Sequence, residues 1–181
     1  FIAYKEKYYG PNNAVLVVAG DIDIEKMLPQ FSLRSMDEIN EILTEQRARP
    51  ESRVAQRTLA RELTELLHGE ESAVAAEQAA DVLFGANPIS ASPAALHLIA
   101  SEVAGSAMGK AALGDAVSVL VLTGLATSNT EARRLLTQRS VRANGEQIDE
   151  HTKLDKIPLL HSRWLLLRKG KTAYHLIDFQ G

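Results

Sequence analysis

Residues 128–148 read Ser-Asn-Thr-Glu-Ala-Arg-Arg-Leu-Leu-Thr-Gln-Arg-Ser-Val-Arg-Ala-Asn-Gly-Glu-Gln-Ile, and this stretch carries the clearest structural pattern in the sequence. Its first residues predict a capping box, in which the Ser128 hydroxyl accepts from the Glu131 amide and the Glu131 carboxylate reaches back. The helix that follows is predicted over 130–138. Asn144-Gly145 is a favoured two-residue hairpin turn after a short strand at 141–143. The stretch therefore predicts a capped helix followed by a β-hairpin.

Short apolar runs on both sides extend this pattern into a small module. Downstream, runs at 159–160, 164–167 and 174–177 predict further strands, with the turn 168–171 (Arg-Lys-Gly-Lys) between the last two. Upstream, 115–123 predicts a short apolar helix that ends at Gly124. We therefore predict one module of helices and short strands over 115–181.

The preceding part of the chain has a helical texture. Apolar residues recur at three- and four-residue steps from about 36 to 43 and again over 54–68, and an alanine-rich helix is predicted over 72–84. Pro93 fits the first turn of a further helix ending near 103, and the glycine-rich stretch 104–114 is predicted to be flexible. The predicted domains are a helical region at 27–85, a linker with one short helix at 86–114, and the module. The predicted fold class is α+β, a helical region followed by a small module of helices and strands.

The first 26 residues do not fit this organisation. The run Ala-Val-Leu-Val-Val-Ala at 14–19 predicts a buried strand, yet no second strong strand follows for more than a hundred residues. We therefore interpret 1–26 as a foreign-looking helix–turn–strand segment. Because the chain opens on Phe1 rather than Met, we expect it to be a piece of a longer protein.

The distribution of charge is uneven. The 181 residues carry a net charge of −3 and no cysteine, which excludes disulfides, thiolate metal sites and cysteine nucleophiles. Residues 1–116 have a balance of −7, whereas residues 117–181 have a balance of +4. Such asymmetry favours an anionic partner, with an ordinary uneven surface as the alternative. No apolar stretch is long enough for a membrane span.

Motifs for catalysis are missing from the sequence. The five histidines do not pair at a helical metal-ligand spacing, and no HExxH, GxSxG, GxGxxG or GxxxxGK[ST] pattern occurs. We therefore predict no catalytic, metal-ligating or cofactor-binding residue. The basic side chains of the last third suit a phosphate backbone better, because arginine can contact phosphate through two N–H groups. The alternative is a solvated basic face. These side chains are Arg133, Arg134, Arg139, Arg142, Arg168, Lys169 and Lys171.

The sequence Glu-Ala-Arg-Arg-Leu at 131–135, with Asn144-Gly145, resembles a small RNA-binding module. A small-subunit ribosomal protein, certain pseudouridine synthases and bacterial tyrosyl-tRNA synthetases share that module. Here Arg139-Ser140 stand where a pair of glycines is common, and Ala143 where valine is usual. Two further segments favour the synthetases. The stretch 59–71 with the helix to 85 resembles the end of their anticodon-binding helical domain, and 157–177 resembles their C-terminal end. The resemblance covers about residues 27–181.

This resemblance implies that the chain binds tRNA as the C-terminal region of a tyrosine–tRNA ligase. It implies a cytoplasmic protein. The parent enzymes are homodimers whose contacts belong largely to a catalytic domain that is missing here, so the oligomeric state of this chain is left open. The HIGH-like and KMSKS signatures are absent, so ATP and tyrosine belong to the parent family and not to residues of this chain. Whether the chain is part of an enzyme is left open, and we expect no tyrosine activation by it alone. The predicted RNA-binding residues are Arg133, Arg134, Arg142, Lys169 and Lys171.

Two alternatives remain at this point. Residues 1–23 resemble a structural segment of pitrilysin-type zinc metallopeptidases and mitochondrial processing peptidases that carries no metal ligand. The chain could therefore be a non-catalytic metallopeptidase fragment, or a non-enzymatic RNA-binding adaptor built on the same terminal module.

Overall fold

The computed structural model describes residues 23–109 and 113–179. The chain divides into two compact units, residues 1–74 and residues 75–181. The strand predicted at 14–19 lies outside the described residues.

The first unit is helical over its described part. It contains α1 (Ile24–Phe31), α2 (Met36–Ala48), a 3-10 turn (Pro50–Ser52), α3 (Val54–His68) and the beginning of α4 (Glu70–Leu83). Ser35 starts α2 with a reciprocal capping box to Glu38. Buried Gln46 donates to the Pro50 carbonyl at 3.2 Å and accepts from the Ala55 amide at 3.2 Å, so it joins α2 to the start of α3. The apolar core consists of Leu28, Ile39, Leu43, Ala55 and Leu59.

The second unit combines helices with a mixed sheet. After the end of α4 come a 3-10 turn (Pro88–Ser90), α5 (Pro93–Glu102), β1 (Ala104–Ala107), α6 (Ala116–Leu122), α7 (Asn129–Thr137), β2 (Val141–Ala143), β3 (Glu146–Gln147), a 3-10 turn (Leu154–Lys156), β4 (Trp164–Lys169) and β5 (Ala173–Asp178). The strand order is β1-β5-β4-β2-β3. Strand β1 is parallel to β5, and the other neighbours are antiparallel.

Both faces of the sheet are covered by helices. Alternate residues of β4 point to opposite faces, so Leu165 and Leu167 pack into a core with α6 and α7, whereas Leu166 packs into a core with the end of α4 and with α5. Strand β4 therefore begins with a continuous buried apolar run, Trp164 to Leu167, as expected for a strand covered on both faces. Because side chains alternate between the two faces, the position of each basic residue in its strand determines the face to which it points.

The α+β class and the helices at 54–68 and 93–102 are confirmed. Three local predictions are wrong. Residues 104–107 are strand β1 rather than a flexible stretch, because their backbone pairs with β5 from Ala104↔His175 to Ala107↔Asp178. Residues 159–160 form no strand, since only a single bridge joins Leu160 to Trp164. The turn predicted at 168–171 is shorter, because β4 continues through Lys169.

Candidate nucleic-acid interface

Helix α7 begins as the sequence predicts, with one different partner. The Glu131 amide donates to the Ser128 hydroxyl at 3.2 Å. The Glu131 carboxylate, however, accepts from the Thr127 amide at 2.8 Å and the Thr127 hydroxyl at 2.6 Å. These two bonds, hydroxyl first, lower the pKa of Glu131, with smaller contributions from the charges of Lys169 and Arg134. Ser128 is therefore the N-cap as predicted, whereas the residue that donates to the Glu131 carboxylate lies one position further upstream.

The two arginines of α7 face solvent. The helix buries Ala132, Leu135 and Leu136, and this apolar stripe leaves Arg133 and Arg134 on the opposite, exposed side. Neither guanidinium forms an ion pair with a described carboxylate. Both charges are therefore available to an anionic partner.

The end of α7 forms a Schellman motif with an arginine at the position that usually holds glycine. The Arg139 amide donates to the Leu136 carbonyl at 2.9 Å, and the Ser140 amide donates to the Leu135 carbonyl at 3.1 Å. Arg139 adopts a φ of 52°, in the left-handed region. The missing glycine leaves the helix-end geometry in place, and it puts an exposed cation at this corner.

The hairpin after this corner forms the predicted turn. Asn144 and Gly145 have φ angles of 49° and 87°, which is typical of a type I′ turn. The Asn144 side chain also donates to the Pro158 carbonyl at 2.8 Å and accepts from the Leu166 amide at 2.8 Å. Sequence reasoning missed this second role, which holds the hairpin against β4. Arg142 next to it is exposed and donates to the Gly145 carbonyl at 2.8 Å.

The basic residues of β4 point to opposite faces of the sheet. Lys169 points to the α7 face, where its ammonium donates to the Leu125 carbonyl at 2.6 Å and lies 3.9 Å from a Glu131 carboxylate oxygen. Arg168 points to the other face and is directly opposite Arg142 in the strand register. The two neighbours in sequence therefore have different environments.

The structure brings most of the basic residues to one end of the sheet. The Gly170 amide donates to the Ser140 carbonyl at 2.8 Å, so the β4–β5 turn lies beside the corner at Arg139, and Lys171 is exposed on that turn. Lys169 differs from the other predicted residues because its ammonium lies near the Glu131 carboxylate as well as donating to a carbonyl. Arg139 and Arg168 are not among the predicted RNA-binding residues, although the sequence shows them within the same two clusters of basic residues. We define the cationic surface as Arg133, Arg134, Arg139, Arg142, Arg168 and Lys171, none of which pairs with a described carboxylate.

The described residues contain neither a metal-ligand cluster nor a membrane-spanning helix. Within 23–109 and 113–179, no group of three or more His, Asp or Glu side chains could hold a metal ion. No helix of these segments is long and apolar enough to cross a membrane.

Two family models match parts of the sequence. Residues 99–177 match the C-terminal domain of the tyrosine–tRNA ligase SYY type. Residues 1–77 match the inactive domain of the M16 peptidases. The second match includes the segment 1–23 singled out from the sequence and is considerably longer.

Curated relatives are tyrosine–tRNA ligases. The chain is 36% identical over 158 residues to the protein of Corynebacterium efficiens, covering 86% of this chain and 38% of that one. It is 39% identical over 155 residues to the Streptomyces griseus protein, covering 83% and 36%. For the Mycobacterium bovis protein the identity is 35% over 159 residues, covering 87% and 38%.

The similarity covers only part of each ligase. The chain spans less than two fifths of the length of the relatives that it matches. The aligned 158 residues and the 77 residues of the peptidase match together exceed the 181 residues of the chain, so the two similarities overlap in the helical first unit.

Proposed function

Because residues 99–177 match the C-terminal domain of the tyrosine–tRNA ligase type, we propose that this chain binds tRNA through the cationic surface of that region. The observation that carries the proposal is the set of cations on α7 and at the adjoining end of the sheet, all exposed except half-buried Arg168 and none paired with a described carboxylate. Several spaced cations on a rigid scaffold suit a phosphate backbone, which carries one charge per nucleotide.

The proposal assigns a different contribution to each predicted residue. Arg133 and Arg134 contact phosphates from the exposed side of α7. Arg142 and Lys171 do so from the end of the sheet. Lys169 is the predicted contact with the least freedom, because its ammonium is held by the Leu125 carbonyl. Lys169 therefore contributes in two ways: its charge attracts RNA, and its bond to Leu125 joins β4 to the loop before α7.

The proposal extends to the protein from which this region derives. We infer a cytoplasmic tyrosine–tRNA ligase whose ATP and tyrosine bind outside the region described here, and a homodimer formed through that other part. Sedimentation of this chain and of a complete relative tests the dimer, since the proposal expects a dimer only for the latter.

A binding experiment at several salt concentrations tests the function. Wild type should bind tRNA with an affinity that falls steeply as KCl is raised. The double variant Arg133→Gln/Arg134→Gln should bind more weakly and reduce the slope of log K against log[KCl] by about 1–2, as expected for two lost phosphate contacts. The matched control is Lys153→Gln/Lys156→Gln, which removes the same charge from another exposed part of the domain.

The outcomes separate specific contacts from net charge. Equal weakening by both double variants would reduce the proposal to a general charge effect. Equal binding by wild type and the α7 variant at low salt would contradict the assignment of those two arginines.

A comparison of RNAs distinguishes the remaining alternatives. Preference for tyrosine tRNA over an unrelated structured RNA of equal length supports the ligase-type function, whereas equal affinity supports a general RNA-binding adaptor. The peptidase similarity makes a zinc measurement useful, and we expect none bound because the described residues offer no ligand cluster.

A further inference from the structure

A cleft of about 530 Å³ opens on the face of the sheet opposite α7. One wall is the loop after α4, from Gly85 to Pro88, and the other is formed by Arg142, Gly145 and Arg168, with Tyr174 also lining the cleft. Its volume is within the range of small-ligand sites. All of these residues belong to the second unit.

The cleft contains two arginines in an arrangement that is unfavourable without an anion. Arg142 and Arg168 are register partners on neighbouring antiparallel strands, so their side chains leave the same face of the sheet. Like charges directly opposite each other destabilise a sheet. Neither guanidinium pairs with a described carboxylate.

A nearby glutamate does not resolve this repulsion. Glu146 is the one acidic residue among the described residues that line the cleft. Its register partner is Ala143, whose side chain packs into the core on the α7 face. The Glu146 carboxylate forms no ion pair with Arg142 or Arg168.

The surrounding structure holds both guanidiniums in position. Arg168 donates to the Gly170 carbonyl at 2.9 Å and to the Lys171 carbonyl at 3.3 Å, and it lies 5.4 Å from the centre of the Tyr174 ring. A Cβ at Gly85 would come within 3.0 Å of its guanidinium, so this wall fits closely. Arg142 is fixed by its bond to the Gly145 carbonyl. Each guanidinium has N–H donors beyond these contacts, so little ordering is required on binding an anion.

We propose that this cleft binds one phosphodiester group of the RNA between the guanidiniums of Arg142 and Arg168. This inference rests on the proposed tRNA binding and adds a defined position to it. A phosphate can accept from two arginine forks at once, and its charge removes the repulsion between them. The exposed Lys171 and Arg139 at the same end of the sheet provide a path for the adjoining backbone.

Ethylation interference on tRNA tests the position directly. In this experiment phosphates are ethylated at random, and those whose modification blocks binding to the full chain are mapped. Wild type should show one or two blocking phosphates that lose their effect in Arg142→Gln, with an affinity loss of about tenfold. The Arg133→Gln/Arg134→Gln variant should keep those positions blocking. The control Lys153→Gln should match wild type.

A small probe separates this site from the function on which it rests. Dimethyl phosphate, titrated against the full chain, should shift the Nε–H NMR signals of Arg142 and Arg168 in wild type, and should not shift the Arg168 signal in Arg142→Gln. Inorganic phosphate in place of the diester distinguishes a site for free phosphate. Arg168→Lys, which keeps the charge without the fork, should weaken the diester response while the fold melts within a few degrees of wild type.

Each result decides between the two proposals. Shifts with dimethyl phosphate without any tRNA binding would support the phosphodiester site and contradict the proposed function. Binding of tRNA with an unchanged interference pattern in Arg142→Gln would overturn the cleft as an RNA site. A response to inorganic phosphate alone would overturn it as well.

Discussion

Replacing Lys169 tests whether this basic residue stabilises the fold, in contrast to the basic residues that only bind RNA. The change Lys169→Met removes the ammonium and retains most of the apolar stem. The ammonium donates to the Leu125 carbonyl at 2.6 Å, and its side chain is 32% exposed. A hydrogen bond from a charged donor contributes about 1.5–3 kcal/mol. The Glu131 contact at 3.9 Å adds little, because a partly exposed pair is screened by solvent.

The expected loss is at the lower end of this range, about 1.5–2 kcal/mol in the free energy of unfolding, because water can reach part of the site. At about 4 °C per kcal/mol for a unit of this size, the melting temperature should fall by about 6–8 °C. Thermal unfolding followed by circular dichroism measures the shift. Urea unfolding provides an independent value for the free energy.

Lys171→Met is the matched control, since it removes the same charge two residues away. The Lys171 side chain is exposed and makes no contact with a described carboxylate. Its loss should change stability by less than about 0.5 kcal/mol while weakening tRNA binding. A change below 0.5 kcal/mol for Lys169→Met, or equal shifts for the two variants, would refute the structural role of Lys169.

Three further predictions concern backbone geometry and pH. Arg139→Gly should raise the free energy of unfolding by about 0.5–1 kcal/mol, because glycine adopts the left-handed φ of 52° without strain. It should also weaken tRNA binding, because it removes a cation. A variant that is less stable than wild type in urea unfolding would contradict this prediction. Gly85→Ala should lower the melting temperature and displace the Arg168 Nε–H signal, because Gly85 has a φ of 111° and its Cβ would press on that guanidinium; an unchanged spectrum would count against it. Burial lowers the pKa of His175 below its ordinary value of 6.5, so protonation opposes folding: the stabilisation is complete above pH 6.5 and is lost as the pH falls toward the folded-state pKa. The melting temperature should therefore drop between pH 7.5 and pH 5 in wild type, less in His175→Gln, and by the full amount in the exposed control His151→Gln.

The local structure around α7 could be predicted from the sequence by itself. The Ser128 cap depends on residues within one turn of helix, and the Asn144-Gly145 turn depends on two φ angles that few other residues adopt. The uneven charge and the Glu-Ala-Arg-Arg-Leu pattern likewise require no tertiary information, and they indicate RNA binding. Such features are determined by neighbours along the chain, so the sequence alone indicates them.

Contacts between distant residues decided the rest. Ala104–Ala107 has small residues with little preference for a strand and pairs only because β5, some seventy positions away, offers a free edge. The adjacent residues Arg168 and Lys169 form one basic patch in the sequence, yet strand alternation sends them to opposite faces. One becomes half of an arginine pair in a cleft, and the other becomes a support for the loop before α7. The sequence thus determined which charges this protein carries, whereas the two-faced sheet decided which of them are free to meet a phosphate.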